Sequence, residues 1–458
     1  MQPNPPRIKK TPLAACLAEE IIHEVEGLLG RQTLRDLDLE ALETALRQRV
    51  LLLAGNFLAH RLNQDESDNA GPHLPCACGA QARYAGRRTK RFRSVLGPLV
   101  LQRAYYHCPA CGQGFCPRDR QFHLEATTLS PAVTRMSALV AALVSFQESS
   151  ELLQELAGVP VDAKQVERTA EALGVEIAEH ERRDLEPSDR APLPRTLYLG
   201  LDGTGIPMRR EELAGRAGKQ TDGTAKTREV KLCTVWSAEG RDEEGTPVRD
   251  EGSVTYSAAI ESAASTDLSR RAEFTGRVLR EATRRRFCQA EQQVVIGDGA
   301  PWIWNIRQEL FPHAIEIVDR FHAKQHLSDL SKALFGPSDP RAHPWAQQRH
   351  EQLDTGRFDA LLDAIAQHAP QSQEARRCLH YFTTNRHRMR YPEFRRTGLC
   401  TSTGVVEAGC KVAIGTRLKR AGMHWTLRGS NAIIALRCCK LSGRFQDFWE
   451  CRSLRQAA

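Results

Sequence analysis

At 458 residues the chain has room for several domains of roughly 100–200 residues and for a fully buried core. Its composition, 41% hydrophobic, 26% charged and 6% aromatic, is that of an ordinary globular protein and excludes a disordered, collagen-like or membrane-embedded chain. The net charge of +8 is uneven: residues 384–458 hold fifteen Lys and Arg against four Asp and Glu, which points to a polyanionic partner, nucleic acid before an anionic membrane.

No apolar run approaches the roughly 18 residues of a spanning helix, so no membrane is expected. Near the N-terminus Glu19 and Glu20 close a short apolar patch before a signal-peptide core can form. A cytoplasmic, reducing compartment follows, where a close cysteine cluster points to metal rather than to disulfides.

In chain order, apolar residues recur at helical spacing over 14–61, predicting two helices, and 63–75 has the Asp, Asn, Gly and Pro content of a linker. Residues 76–117 carry five cysteines, and the alternation over 95–106 predicts a two-stranded hairpin around Gly97 and Pro98. A helix starts at Ser130. Two short helical patterns, 148–157 and 163–173, flank Gly158, Val159 and Pro160 with helix-turn-helix spacing, Asp162 being the cap of the second. Residues 182–195 read as an interdomain linker. The character then turns α/β: strands at 196–202, 230–237 and 253–260, a helix over 267–287, strands at 294–298 and 315–319 separated by a helix at 302–310, and about 80 helical residues over 322–399.

Cys76 and Cys78, one residue apart, and Cys108 and Cys111, two apart, bracket the predicted hairpin in the manner of a zinc ribbon. Zn²⁺ takes four tetrahedral N or S ligands, and two turns that each present a thiolate pair close such a site. Gly79 and Gly112 permit the tight turns; His107 and Cys116 are alternatives for one ligand. Between the pairs lie Arg87, Arg88, Lys90, Arg91 and Arg93, suited to phosphate contact. In the second helix of the helix-turn-helix pattern, Lys164, Gln165 and Arg168 face outward.

Three acids carry the chemistry. Asp202 ends the strand 196–202, on one face with Tyr198 and Gly200, and Asp298 ends the strand 294–298. Glu407 stands on a late helix opened by Gly404, in a basic neighbourhood. Hard divalent cations require oxygen ligands, and three carboxylates can hold two Mg²⁺ (or Mn²⁺) about 3.5–4 Å apart. Three strands, a helix, a strand ending in acid, a fifth strand and a final helix with acid are the element order of a ribonuclease-H-like mixed sheet.

With LGLDGTGIP around Asp202, VVIGDGAPWIW around Asp298, IVDRFHAKQH around Asp319 and His322, STGVVEAGCK around Glu407 and the CxC and HCPACG ribbon, the chain resembles the DDE transposases of bacterial insertion sequences, of the Kra type and related to the ISL and Mutator-like groups. The resemblance runs from about Leu74 to Trp449. It implies a multidomain α/β protein: a helical N-terminal region (1–70), a zinc-ribbon module (74–120), a helix-turn-helix-like region (130–183), a catalytic core (195–320), a helical insertion (321–400), and a last part carrying Glu407 and the basic tail (401–458). It implies metal-dependent strand cleavage and transfer at transposon ends, with Asp202 bridging two ions, Asp298 and Glu407 completing their sites, and Asp319 and His322 in support. DNA, both transposon ends and target, would be the partner, and the compartment prokaryotic and nucleoid-associated. Synapsis of two ends makes a homodimer or higher assembly the default. Lys411, Arg417, Lys419, Arg420, Arg428 and Arg437 form a candidate phosphate track, with Trp425 placed to stack on a base. Two rivals remain: a non-catalytic DNA-binding relative, repressor-like or domesticated, and a structure-specific nuclease of the same fold.

Overall fold

The computed structural model describes residues 19–20, 22–23, 26–27, 38–183, 192–218, 223, 225–243, 245–265, 267, 269–402 and 404–457. The first predicted helix lies largely outside these residues, as does most of the predicted linker at 182–195. The chain forms two compact units, Met1–Thr169 with Trp449–Ala458, and Ala170–Phe448. Among the described residues no helix is long and apolar enough to cross a membrane.

In the first unit α1 (Leu39–Gln64) starts at Asp38, whose carboxylate accepts from the Glu40 and Ala41 N–H groups. A four-stranded antiparallel sheet follows in chain order: β1 (His73–Pro75), β2 (Gln81–Ser94), β3 (Gly97–His107) and β4 (Gly114–Phe115). The hairpin is longer than the sequence suggests and turns at Val95 and Leu96, so the basic segment is itself a strand. Two acidic partners, one buried and one half-buried, explain how it is accommodated. Asp68 pairs with Arg87 at 3.1 Å and accepts from the Ala104 N–H at 2.7 Å, and Asp119 pairs with Lys90 at 3.5 Å and also with Arg103. The stretch read as a linker is therefore packed, with Asp68 only 6% exposed. Phe92, Leu99, Leu101 and Leu124 form the core beneath the hairpin. Next come α2 (Pro117–Gln121), α3 (Pro131–Ala141), α4 (Phe146–Ala157) and α5 (Ala163–Arg183). The turn into α4 is a capping box between Ser145 and Glu148, and Gly158 ends the helix at φ 68°.

The second unit is built on a five-stranded sheet of β5 (Thr196–Pro207), β6 (Thr227–Ser237), β9 (Thr255–Ala259), β10 (Gln292–Gly297) and β11 (Ile315–Val318), with a small hairpin, β7 (Gly240–Arg241) and β8 (Pro247–Val248), between β6 and β9. Its spatial order is β11-β10-β5-β6-β9; β6 runs antiparallel to β5 and β9, while β10 and β11 run parallel to β5. Residues 197–201 of β5 and 294–297 of β10 are buried on both faces, as a covered sheet requires. The helix over 267–287 is shorter than read, α6 (Glu273–Arg284), and α7 (Pro301–Leu310) joins β10 to β11. The long helical segment resolves into α8 (Arg320–Phe335), α9 (Ala342–Asp354), α10 (Phe358–Ala366), α11 (Gln373–Asn385) and α12 (Tyr391–Arg396), and Arg320 and Lys324 tie α8 to α9 through Asp354 at 2.6 and 2.5 Å. The chain then returns to the sheet with α13 (Gly404–Gly409), a π-helical turn (Cys410–Gly415), α14 (Leu427–Leu441) and α15 (Phe445–Ala457).

Candidate active site and metal centre

In the first unit the Sγ atoms of Cys76, Cys78, Cys108 and Cys111 all lie within 4.8 Å of one another. Cys76 and Cys111 are 3.7 Å apart, as are Cys78 and Cys108. A zinc tetrahedron with Zn–S of about 2.3 Å sets sulfur atoms about 3.8 Å apart, so the four thiols fit that ion. Each pair sits on a knuckle closed by its own backbone: Gly79 N–H donates to the Cys76 carbonyl and Gly112 N–H to the Cys108 carbonyl, both at 2.9 Å, with the glycines at φ 87° and 70°. The Cys111 N–H directed at its sulfur holds the Cys108 thiol down at about 7, toward the thiolate a metal binds. The alternatives fall away: Cys116 is buried as the N-cap of α2, and His107 is outside the group.

The basic residues of this unit divide. Arg87 and Lys90 serve Asp68 and Asp119, and Arg93 donates to the Pro160 carbonyl, so these three are occupied internally. Arg88 is exposed, its guanidinium 3.4 Å above the Tyr105 ring, and Arg91 is exposed. On α5, Arg168 is exposed, and Lys164 forms a 2.6 Å surface pair with Glu167; Asp162 caps the helix as its sequence suggests, accepting from the Gln165 N–H at 2.9 Å.

In the second unit the site is organised by one face of β5. Alternation places Tyr198, Gly200, Asp202 and Thr204 on that face, and residues 400–419 lie along it in the same order. The Cys400 N–H donates to the Tyr198 hydroxyl at 3.1 Å. Val406 occupies the notch above Gly200, where a Cβ would come within 2.1 Å of Val406 Cγ2. The Cys410 thiol donates to the Asp202 carboxylate, and Lys419 Nζ donates to the Thr204 hydroxyl. Gly409 likewise lets the α13 backbone settle on Leu232 and Tyr256 of β6 and β9, each 3.0 Å from where its Cβ would be. Glu407, exposed, is thus carried on a helix docked over the strand that bears Asp202.

Asp298 comes from the neighbouring strand. Gly297 pairs with Leu201 in the parallel β10–β5 ladder, so the residues that follow, Asp298 and Asp202, come from adjacent strands at the same level; Asp298 leaves its strand there, whereas β5, expected to end at Asp202, runs on to Pro207. Burial pushes the Asp202 carboxyl up, and the Asp298 charge adds to that, while the Cys410 thiol, the Gly203 N–H at 2.6 Å and His322 pull the other way. Glu407 and Lys419 both act electrostatically on Cys410, which places them around the same thiol. The structure therefore brings Asp202, Asp298, Glu407 and His322 into one neighbourhood. Asp319 has a different place: 2% exposed, it caps α8 by accepting from the His322 N–H at 2.7 Å, and so fixes the turn that presents His322.

Three residues of this neighbourhood escape the sequence reading. Cys410 had a signal, since it stands three residues after Glu407 and so on the same helical side. Tyr381 and His326 had none. Tyr381, from α11, donates its hydroxyl to the Asp298 carbonyl at 2.9 Å and packs against His326, ring centroids 4.2 Å apart and planes tilted by 37°. Burial lowers the pKa of His326, and His322 lowers it further.

Of the C-terminal track, Lys411, Lys419, Arg420 and Arg428 are exposed. Arg417 and Trp425 are inside: Arg417 is 0% exposed with its guanidinium 5.2 Å from the Trp425 ring, and the indole N–H donates to the Leu418 carbonyl at 3.0 Å. Neither can meet a backbone phosphate or a base as placed. Arg437 is also buried, donating to the Ala413 carbonyl at 2.7 Å and to Val412, carbonyls of the π-helical turn.

The family described as "Uncharacterised protein family (UPF0236)" matches residues 80–451. The chain belongs to that family. No curated protein matches it. Among solved structures the UPF0236 chain is similar to the Drosophila P element transposase strand transfer complex, at 11% identity and a TM-score of 0.25, over 73% of this chain and 84% of that one. A likeness that remote fixes neither fold nor role.

Proposed function

We propose that this UPF0236 protein is a DDE-type DNA transposase that cleaves and joins DNA strands on a ribonuclease-H-like core, with Asp202, Asp298 and Glu407 as its catalytic carboxylates. The observation that carries the reading is the convergence on one face of β5: Asp202 on the strand, Asp298 leaving the strand beside it, and Glu407 on a helix seated over Gly200. The strand order β11-β10-β5-β6-β9, with the second strand antiparallel, is the one that fold uses. Burial, and then the Asp298 charge, disfavour the charge on Asp202, a donor that a hard divalent cation relieves. Asp202, Asp298 and Glu407 would hold Mg²⁺ or Mn²⁺, which when bound lowers the pKa of a water and stabilises a leaving oxygen.

The chain's own residues supply the rest. The Cys410 thiol fixes the orientation of the Asp202 carboxylate, Tyr381 fixes the loop that carries Asp298, and the cap made by Asp319 directs the first turn of α8, and with it His322, at the acids. Lys411, Lys419, Arg420 and Arg428 are the phosphate contacts of this region. The four-cysteine module, held by zinc, together with the helix-turn-helix-like pair α4 and α5, grips DNA through Arg88, Arg91, Lys164 and Arg168. Two ends brought together require at least two copies of the chain.

The test is cleavage of labelled duplexes carrying the element's flanking ends, with Mg²⁺ or Mn²⁺. Wild type should nick at the ends, while Asp202→Asn, Asp298→Asn and Glu407→Gln should bind DNA and lose cleavage, a loss of several kcal/mol in barrier at about 1.4 kcal/mol per factor of ten. Cleavage retained by Asp202→Asn overturns the assignment. Cutting without joining to a supercoiled target would narrow the protein to a nuclease.

A further inference from the structure

β5 and β6 stay paired well past Asp202, as far as Pro207 opposite Thr227. At about 3.3 Å per residue the hairpin carries its connecting loop about 20 Å from the carboxylates. The base of that loop is anchored. The Arg209 N–H donates to the Trp425 carbonyl at 2.9 Å, the Trp425 N–H to the Pro207 carbonyl at 3.2 Å, and the Leu427 N–H to the Glu212 carboxylate at 2.9 Å. Beside it opens a cavity of about 1120 Å³ whose lining includes Arg209, Arg210, Arg216, Lys226 and His424.

The four Arg and Lys side chains are exposed, and among the described residues none of them forms an ion pair. Elsewhere Arg87, Arg277, Arg320, Arg388 and Arg444 have carboxylate partners. Glu212, an acid of the same loop, is turned to Arg228 at 4.0 Å and to the Leu427 N–H rather than to these four. Glu211 shares the cavity lining, so four cations face one carboxylate there and the cavity keeps an excess of positive charge that an anion would relieve. Nor are they isolated from the carboxylates. Lys419 lies on Thr204, two residues beyond Asp202 on the same face, Arg420 follows it exposed to solvent, and His424 stands at the cavity. Cations thus mark β5 from the acids to the loop.

We propose that duplex DNA engaged at the Asp202 site continues along β5 to this loop, where Arg209, Arg210, Arg216 and Lys226 hold its phosphates about 20 Å away, about six base pairs along the helix. The proposal rests on the nucleic-acid reading above and adds to it a second contact that neither the zinc module nor the C-terminal track supplies. A continuous polyanion fits the feature because Lys419 and Arg420 lead from the acids toward the four cations at the loop, so that one backbone can meet both.

The experiment is fluorescence anisotropy of the full-length protein with a labelled 20-base-pair duplex of mixed sequence, in Ca²⁺ to prevent cutting, across a range of salt. A variant combining Arg209→Gln, Arg210→Gln and Arg216→Gln should bind at least tenfold more weakly at low salt. The slope of log affinity against log salt should fall in magnitude by about 2.7, about 0.9 for each lost contact. Replacing three exposed arginines of the helical segment, Arg341→Gln, Arg357→Gln and Arg376→Gln, should leave the slope as in wild type. Should the triple variant melt early, the single reversal Arg210→Glu should weaken binding and lower the slope in the same direction by about 0.9 or more. Wild-type slope and affinity in both loop variants would overturn the loop assignment and leave the transposase reading standing. A wild-type protein that binds no DNA would overturn both.

Discussion

The cysteine site and the carboxylate site are built in opposite ways. The four cysteines fall within one short stretch of chain, each pair on a turn closed by its own backbone, and their sulfurs already stand at the spacing of a zinc tetrahedron. The three acids come from residues 202, 298 and 407 and meet only because the 400–425 segment lies along β5. Among the described residues the cysteines are the group in which three or more ligand atoms all lie within 4.8 Å of one another; the carboxylates stand farther apart. Neutral thiols can share hydrogens and approach, whereas carboxylates without a cation between them repel. A local site assembles itself; a distributed one depends on packing far from its ligands.

That contrast can be broken at several places. The largest effect is expected at the cysteines: Cys108→Ser, or a strong chelator, should release one zinc per chain, measured with a chromogenic indicator. It should open 74–120 to protease, because zinc binding of about 10–16 kcal/mol is also the folding energy of such modules. The second unit should keep its melting transition. A module that resists protease without metal would show that its small core suffices.

Next comes the buried ion network of the second unit. Glu281, 0% exposed, is met by Arg444 at 2.9 Å and Arg284 at 3.3 Å, and Arg444 also pairs with Glu181 at 3.4 Å. Arg444→Ala should cost about 3–5 kcal/mol in urea unfolding, since it strands a buried carboxylate. Burial alone would push the Glu281 carboxyl up, but the Arg444 and Arg284 guanidiniums override it and hold it below its ordinary value. A lowered folded value means the contribution is full above the unfolded pKa, about 4.3, and is lost as pH falls through the folded one. The gap between wild type and variant should therefore narrow in acid, and a gap independent of pH would refute this account.

A smaller effect tests the notch. Gly200→Ala puts a methyl where Val406 packs, at an overpacking cost of about 1–3 kcal/mol. Cleavage should fall while Asp202, Asp298 and Glu407 remain intact, and full activity would mean that Glu407 does not need its seat. The smallest is Tyr381→Phe, which removes one hydrogen bond worth about 0.5–1.5 kcal/mol from the Asp298 carbonyl. It should raise the Mn²⁺ concentration needed for half-maximal binding several-fold, read by electron paramagnetic resonance, and leave zinc content unchanged.

Much of this was legible in the sequence where a signal is short-range. The apolar runs that lead to Asp202 and Asp298 were legible because both faces of that sheet are covered, although β5 runs on past Asp202 to Pro207, and the cysteine spacing declared its knuckles. The basic strand β2 was hidden, since Arg87 and Lys90 look like surface residues until Asp68 and Asp119 are seen beneath them. For the same reason 63–75 resembled a linker: Asp68 has partners only through residues far away in sequence. Trp425 and Arg417 resembled a nucleic-acid contact because an aromatic beside a cation looks alike inside and outside a protein.

By itself, then, the sequence determined most of the elements of the second unit and the two cysteine knuckles, because periodicity, turn chemistry and ligand spacing act over a few residues. Only the tertiary structure decided which cations are left without acids, that Cys410 and Tyr381 attend Asp202 and Asp298, and that Glu407 is seated over Gly200. Those outcomes depend on which side chains meet across a hundred residues or more, and on how burial and neighbouring charge then set their hydrogen bonds.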